Sequence, residues 1–419
     1  MGLSSLFRLA RLGGHLGQSE QLVTEPAAAA VEQEVPQLNH RGRKVQSLGL
    51  LRASSLDDPV ELRRHLAEDG YLYLPGVLGR ERVLAARMAM LRRVQAAAPH
   101  LLLGPLENAR MDPGADRSGW DDAWGVQNVL VGNEEVHSPA SAYCIGRRHA
   151  DSCCRVQVDD VLFRGPMIDV YEKIFGEAVS HLDYRWLRVK RPADPGALPD
   201  VTPPHCDLVY MGRGSLDLLT SWTCFSDVGY DMGGLVLLEG SHRAGMRGAA
   251  ALADDELANV TEPELTLGRY VTSDVDSHCE GDEASKAAVA AANAEGRELT
   301  AEEAEAVRNA LNSRTRGMGK VAHEKESRTF QMGPDAQDAR ERIGLGGRFL
   351  TGNFRMGDLL LFSAYTLHSS LDNESGEVRI STDTRYQPAS HPIDGRWVGD
   401  DASNGIHGHT AKHQRGRIC

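Results

Sequence analysis

A chain of 419 residues with a net charge of −13 is a poor match to a general nucleic-acid binder, which needs a basic stripe. Apolar residues make up 41% of it, which suits a soluble globular protein with a large core, and no apolar run approaches the ~18 residues that a membrane span needs. The seven cysteines are odd in number and form no CxxC pair, a pattern of free thiols in a reducing compartment rather than of a disulfide frame.

Residues 1–57 carry no sustained hydrophobic period and read as a poorly ordered N-terminal extension. Within it, residues 1–19 hold Arg8 and Arg11, no acidic residue, and a stripe of Leu3, Phe7, Leu9 and Leu12. That composition suits an organelle transit peptide as well as a ragged terminus. The expected location is the cytoplasm, or an organelle if residues 1–19 direct the chain there.

From Asp58 the signals strengthen. PVELRRHLAEDG predicts a helix stopped by Gly70. YLYLPGVL, residues 71–78, alternates and then breaks at Pro75-Gly76, as a short strand does. RERVLAARMAMLRRVQAAA is built of good helix formers. Residues 101–150 are rich in Gly, Asp and Asn and read as long loops, and residues 159–176 read as one helix with a Gly stop. Short β-like runs follow: HLDYRWLRVKRP, LLTSWTCFSDV, GGLVLLEGSH, GDLLLFSAYTLHSS and VRISTDTRYQP. Such spacing predicts an all-β core, a sandwich or barrel with flanking helices. Residues 58–395 read as one domain, interrupted by an Ala- and Glu-rich helical insertion at 282–315 and followed by a tail at 396–419. His407, His409 and His413 in that tail are only a compositional hint of metal binding.

The chemistry starts at TPPHCDLVYMG, residues 202–212. In an extended strand, residues i and i+2 share a face. His205 and Asp207 then point together, and Cys206 points away as an inert core thiol. A surface ion pair would account for the two, but a carboxylate in an apolar run needs a positive partner. A metal ion between the side chains supplies one. His368 ends a buried run and can bring a second imidazole from another strand. Two histidines and one carboxylate form the facial triad of non-haem Fe(II) oxygenases, with positions left open for a cosubstrate and O2. Eleven residues past His368, Arg379 opens a strand on which Arg379, Ser381, Asp383 and Arg385 share one face. A guanidinium pointing into a core is costly without an anion, and its planar fork fits a carboxylate.

Three stretches now read together: HCD at 205–207, SWTCFSDVGYDMGGLVLLEGSH, and GDLLLFSAYTLHSSLDNESGEVR. They resemble the phytanoyl-CoA dioxygenase (PhyH-like) family of Fe(II)/2-oxoglutarate oxygenases, over residues 58–390. The resemblance implies a double-stranded β-helix of the jelly-roll or cupin kind. It makes His205, Asp207 and His368 the iron ligands and Arg379 the clamp for the distal carboxylate of 2-oxoglutarate. Arg385, further along the same strand face, is the alternative clamp. Ser370 becomes a hydroxyl helper, and Trp222 the aromatic beside the cosubstrate. Arg188 or Lys190 is expected to meet an anion of cosubstrate or substrate, unless both sit on a solvated basic strand edge. The implied reaction is hydroxylation, or another oxidation, of a C–H bond in a small molecule, with release of succinate and CO2. Asp207 fills the place that related halogenases leave for chloride. Two other readings use the same fold or ligands. A non-catalytic jelly-roll binding protein would have lost the arginine or a ligand. A zinc hydrolase could use the three ligands but would have no use for Arg379 or Ser370. Neither the choice between acyl-CoA and free metabolite nor the oligomeric state is written in these motifs.

Overall fold

The structure is a computed structural model. It describes residues 36–116, 154–183, 186–193, 201–208 without 203, 215–254, 259–268 and 344–393, with the single residues Gly196, Ala291, Thr300 and Arg340. The expected transit-like segment at 1–19, most of the insertion at 282–315 and the tail at 396–419 lie outside the described residues. Among the described residues no helix is long and apolar enough to cross a membrane.

The chain opens with strands β1 (Asn39–His40), β2 (Arg43–Lys44) and β3 (Leu48–Leu50). β3 pairs in parallel with a strand some three hundred residues later, and Leu38, Val45 and Leu51 are buried. The ordered fold therefore begins well before residue 58, the boundary expected from sequence. The cause is non-local: so short a strand has no period of its own and is held by its partner in the sheet.

Helix α1 (Pro59–Asp69) starts as the sequence dictates. Asp58 caps it, its carboxylate accepting from the backbone N–H of Val60 at 2.8 Å, and Pro59 needs no N–H at the first turn. Gly70 ends it in the left-handed region at φ 76°. A Cβ on Gly70 would also lie 2.3 Å from the ring of His242. Gly76 has a similar φ of 69° but open space around it. Gly70→Ala and Gly76→Ala should thus each lose ~1–2 kcal/mol of stability to left-handed backbone strain. Gly70→Ala should lose markedly more, through the clash. Thermal melts of the two variants side by side check this; equal losses would show that His242 moves aside freely.

β4 (Tyr71–Leu74) and α2 (Arg80–Ala97) follow, then β5 (Leu102–Leu103) and β6 (Arg110–Met111). The single helix expected over 159–176 is two, α3 (Cys154–Phe163) and α4 (Pro166–Phe175). Gly165 at φ 54° turns the chain between them, and Pro166, which would lack a donor in a helix interior, starts the second. Next come β7 (Val179–His181), β8 (Trp186–Lys190), β9 (Leu219–Cys224) and β10 (Leu235–Leu238). Helix α5 (Ser241–Asp254) precedes β11 (Phe349–Thr351), β12 (Leu359–Ser363), β13 (His368–Ser370) and β14 (Arg379–Pro388).

β1-β2 and β5-β6 are separate two-stranded pairs, and two facing sheets make the core. The larger has the order β4-β12-β9-β14-β7, with β8 also paired to β14; the smaller has the order β13-β10-β11-β3. Alternation assigns the two faces of the larger sheet. Leu72, Leu187, Val189, Leu219, Leu361 and Ile380 pack outward in one cluster with residues of α1 to α4. Trp222, Cys224, Leu360 and Phe362 point inward and meet Leu235, Leu237, Leu350 and Phe354 of the smaller sheet or its loops. This is an all-β jelly roll with helices on its outer face.

His242 lies under α1, fully buried, with Nε2 3.2 Å from the Ala67 carbonyl. Burial, with nearby arginines, lowers its pKa from 6.5 to about 4. The folded state holds this ring neutral, so between pH 6.5 and pH 4 the unfolded chain binds more protons. Its stabilising contribution is complete above pH 6.5 and is lost as pH falls toward 4, at up to ~1.4 kcal/mol per pH unit. Urea melts at pH 7 and pH 5 should show a smaller pH loss for His242→Gln than for the wild type. Equal losses would assign the acid sensitivity to other groups.

Candidate active site

His205 is not on a regular strand, as its spacing predicted. It makes an isolated antiparallel bridge with His368, closed by reciprocal backbone bonds of 3.0 and 2.9 Å, and the chain then turns at Asp207. Two parts of the chain far apart in sequence are thereby clamped through their main chains. The side chains nevertheless converge as expected. Asp207 Oδ1 lies 3.5 Å from His205 Nε2 and 3.8 Å from His368 Nε2. Ligand atoms from all three fall within 4.8 Å of one another, and all three residues are buried. Cys206 points the other way, its Sγ 3.3 Å from the Tyr365 carbonyl, and burial pushes its thiol well above the ordinary range.

The protonation states suit a cation. Nδ1 of His368 is 3.0 Å from the Thr366 carbonyl; a carbonyl only accepts, so Nδ1 carries the proton and Nε2 keeps its lone pair for the cluster. Burial first, and the neighbouring His205 second, push the His368 pKa down to about 3. The ring is neutral near pH 7. Burial would raise the Asp207 carboxyl, but Arg385 and the two imidazoles outweigh it and hold the group well below the usual carboxylate range. Two imidazoles, that of His368 neutral, and an ionised carboxylate, enclosed and mutually oriented, fit a divalent transition metal.

The expected cosubstrate residues share the inner face. Arg379 is 2% exposed, donates from Nη1 to the Gly233 carbonyl at 2.6 Å, and has no carboxylate within 4.0 Å among the described residues. Its Nε has no hydrogen-bond partner. Burial, then the charge of Arg188, lowers its pKa to about 10. Its guanidinium carbon stands 5.9 Å from the Trp222 ring centroid. Trp222 is fully enclosed, edge-on to Phe354 at 4.8 Å, and its indole N–H also lacks a partner. Lys190, register partner of Arg379, is buried and donates to Ser370 Oγ at 3.2 Å and to the Leu371 carbonyl. A solvated strand edge is thus excluded for Lys190. Arg188 is bonded to Asp383 at 2.5 Å.

Spacing did not reveal what Arg385 does. Its Nη2 donates to Asp207 Oδ2 at 2.8 Å, and the Thr220 hydroxyl donates to the same oxygen at 2.5 Å. Alternation along β14 put Arg385 on the inner face, but its partner sits on a loop 178 residues earlier.

A buried two-histidine, one-carboxylate cluster between the sheets of a jelly roll is the ligand set of the mononuclear non-haem oxygenases. Residues 66–381 match the family described as phytanoyl-CoA dioxygenase (PhyH), and the chain belongs to that family of oxidoreductases. It is 24% identical over 339 residues to a protein named 1-deoxypentalenic acid 11-beta-hydroxylase from Streptomyces exfoliatus, covering 80% of this chain and 83% of the relative. The protein of the same name from Streptomyces arenae is 27% identical over the same shares. Among solved structures, a non-heme alpha ketoglutarate dependent epimerase, SnoN, of nogalamycin biosynthesis is similar at a TM-score of 0.40 and 16% identity, with 80% of this chain and 86% of that chain covered.

Proposed function

We propose that this protein is an Fe(II)- and 2-oxoglutarate-dependent oxygenase that hydroxylates a C–H bond of a small molecule. The observation that carries the reading is Arg379. A guanidinium removed from water, with one hydrogen bond and no carboxylate within 4.0 Å among the described residues, is costly unless a ligand anion completes it. It stands on the same inner face as the three-residue cluster, which accounts for the pairing of a metal with a dicarboxylate.

In this reading His205, Asp207 and His368 hold the iron, and Arg379 receives the distal carboxylate of 2-oxoglutarate. Iron with 2-oxoglutarate and O2 supplies oxidative decarboxylation to succinate and CO2, coupled to hydroxylation. The chain's own part is to bind, orient and exclude water. Thr366 fixes the tautomer of His368. Trp222 and Phe354 form an apolar wall behind Arg379, which keeps water from the guanidinium and strengthens its pairing. Lys190 holds the Ser370 hydroxyl in place. The two Streptomyces relatives are named as hydroxylases of an acid, which favours a free small molecule over an acyl-CoA.

The test is succinate formation from 2-oxoglutarate by purified protein. Turnover should need Fe(II) and O2 and stop on chelation. Zinc-loaded protein should be inactive, because zinc has no redox chemistry. Hydrolytic activity with zinc and none with iron would replace this reading with that of a metallohydrolase.

A further inference from the structure

We infer that Arg385 and Thr220 are positioning residues for the metal centre: together they hold Asp207 by Oδ2, so that Oδ1 alone is presented to the ion. The inference rests on the metal reading proposed above.

Asp207 has no sheet to orient it. It follows an isolated bridge and sits in a turn. A carboxylate there would rotate about its side-chain torsions and could offer a metal either oxygen, or both. The larger sheet removes that freedom. Thr220 on β9 and Arg385 on β14 are register partners and project from adjacent strands on one face. Both donate to the same oxygen, at 2.5 and 2.8 Å. The other oxygen is the one that faces both imidazoles, at 3.5 and 3.8 Å. Two donors from a rigid sheet on one oxygen and two ring nitrogens near the other divide the carboxylate into an anchored half and a ligating half.

Chemistry explains the choice of arginine. Arg385 is 2% exposed, and a buried guanidinium needs an anion beside it. A charge-assisted bond is shorter and stronger than a neutral one, and it also draws electron density from the carboxylate. Asp207 thus becomes a fixed but weaker donor than a free carboxylate. Partners of this kind orient metal ligands, and their loss costs ~10–100-fold in metal affinity.

The test is cobalt(II) titration of metal-free protein, read by affinity and by the visible d–d absorption, which reports the ligand geometry independently of turnover. Arg385→Met should weaken cobalt binding ~10–100-fold and change the band shape or intensity. Arg385→Lys should restore part of both, since an ammonium can still donate to one oxygen. Thr220→Val should shift both in the same direction by less. Unchanged affinity and spectrum in folded Arg385→Met would overturn the inference. If that variant does not fold, an unchanged spectrum and affinity in Thr220→Val would overturn it instead. Asp207→Ala is the control for the underlying reading: wild-type cobalt binding in that variant would remove Asp207 from the metal site altogether.

Discussion

His368→Ala should lose iron-dependent turnover entirely while the protein stays folded. In the proposed reading the imidazole supplies one of three ligands; burial and His205 keep it neutral, and the Thr366 carbonyl sets its tautomer. Alanine cannot replace that donor, and two ligands leave a divalent ion mostly to solvent. The fold should survive, because the bridge to His205 runs through backbone atoms, which alanine also supplies. The ring does pack on Phe362, with centroids 4.6 Å apart, so some thermal stability will go. His205→Ala and Asp207→Ala should behave alike in turnover. Circular dichroism establishes folding, and succinate release at saturating iron establishes activity. Full turnover in His368→Ala at equal folded yield would mean that a different residue is the distal ligand.

Arg379→Ala should raise the 2-oxoglutarate requirement steeply and leave metal affinity nearly unchanged. Truncating one partner of a buried charged hydrogen-bonded pair typically costs ~2–5 kcal/mol, or roughly 30-fold to several thousand-fold in binding. Arg379 hydrogen-bonds the Gly233 carbonyl rather than any of the three cluster residues, so the metal should not sense its loss. Arg379→Lys should recover only part, because an ammonium lacks the parallel donors of the fork. Calorimetric titration of 2-oxoglutarate into metal-loaded variants under anaerobic conditions separates this from a turnover defect. Wild-type affinity in Arg379→Ala would end the assignment. Arg385, the other arginine on that face, should respond differently: its loss should register first in the metal.

These contrasts also mark what could be read from the sequence. Alternation alone put Arg379 and Arg385 on one face of β14, and the core strands β9, β12 and β14 announced themselves as short β-like runs bounded by turn residues. His205, Asp207 and His368 were identifiable by residue type and spacing, and the structure brings them together. Contacts across distant segments were not legible. The anchoring of Asp207 by Arg385 and Thr220 depends on a turn meeting a sheet, and no local period encodes that. β3 went unseen because three residues cannot show alternation, and because its parallel partner lies on the far side of the insertion. The break between α3 and α4 was visible as Gly165-Pro166 but was masked by apolar residues that keep helical spacing on both sides.

β14 behaves as a ruler ten residues long. Its odd-numbered marks from Arg379 to Arg385 face the interior, and Ile380, Thr382, Thr384 and Tyr386 face the helices. Strand geometry makes this division all or nothing, since a slip of one residue exchanges the two faces. Deleting one residue between Arg379 and Arg385 would therefore send one of the two arginines out toward the helices and bring an apolar or neutral side chain inward. A one-residue change in the length of the strand would separate Arg379 from Arg385, which anchors Asp207. Change in what this protein acts on has its open route elsewhere, through the loops at the strand ends, where length can vary while the ruler stays fixed.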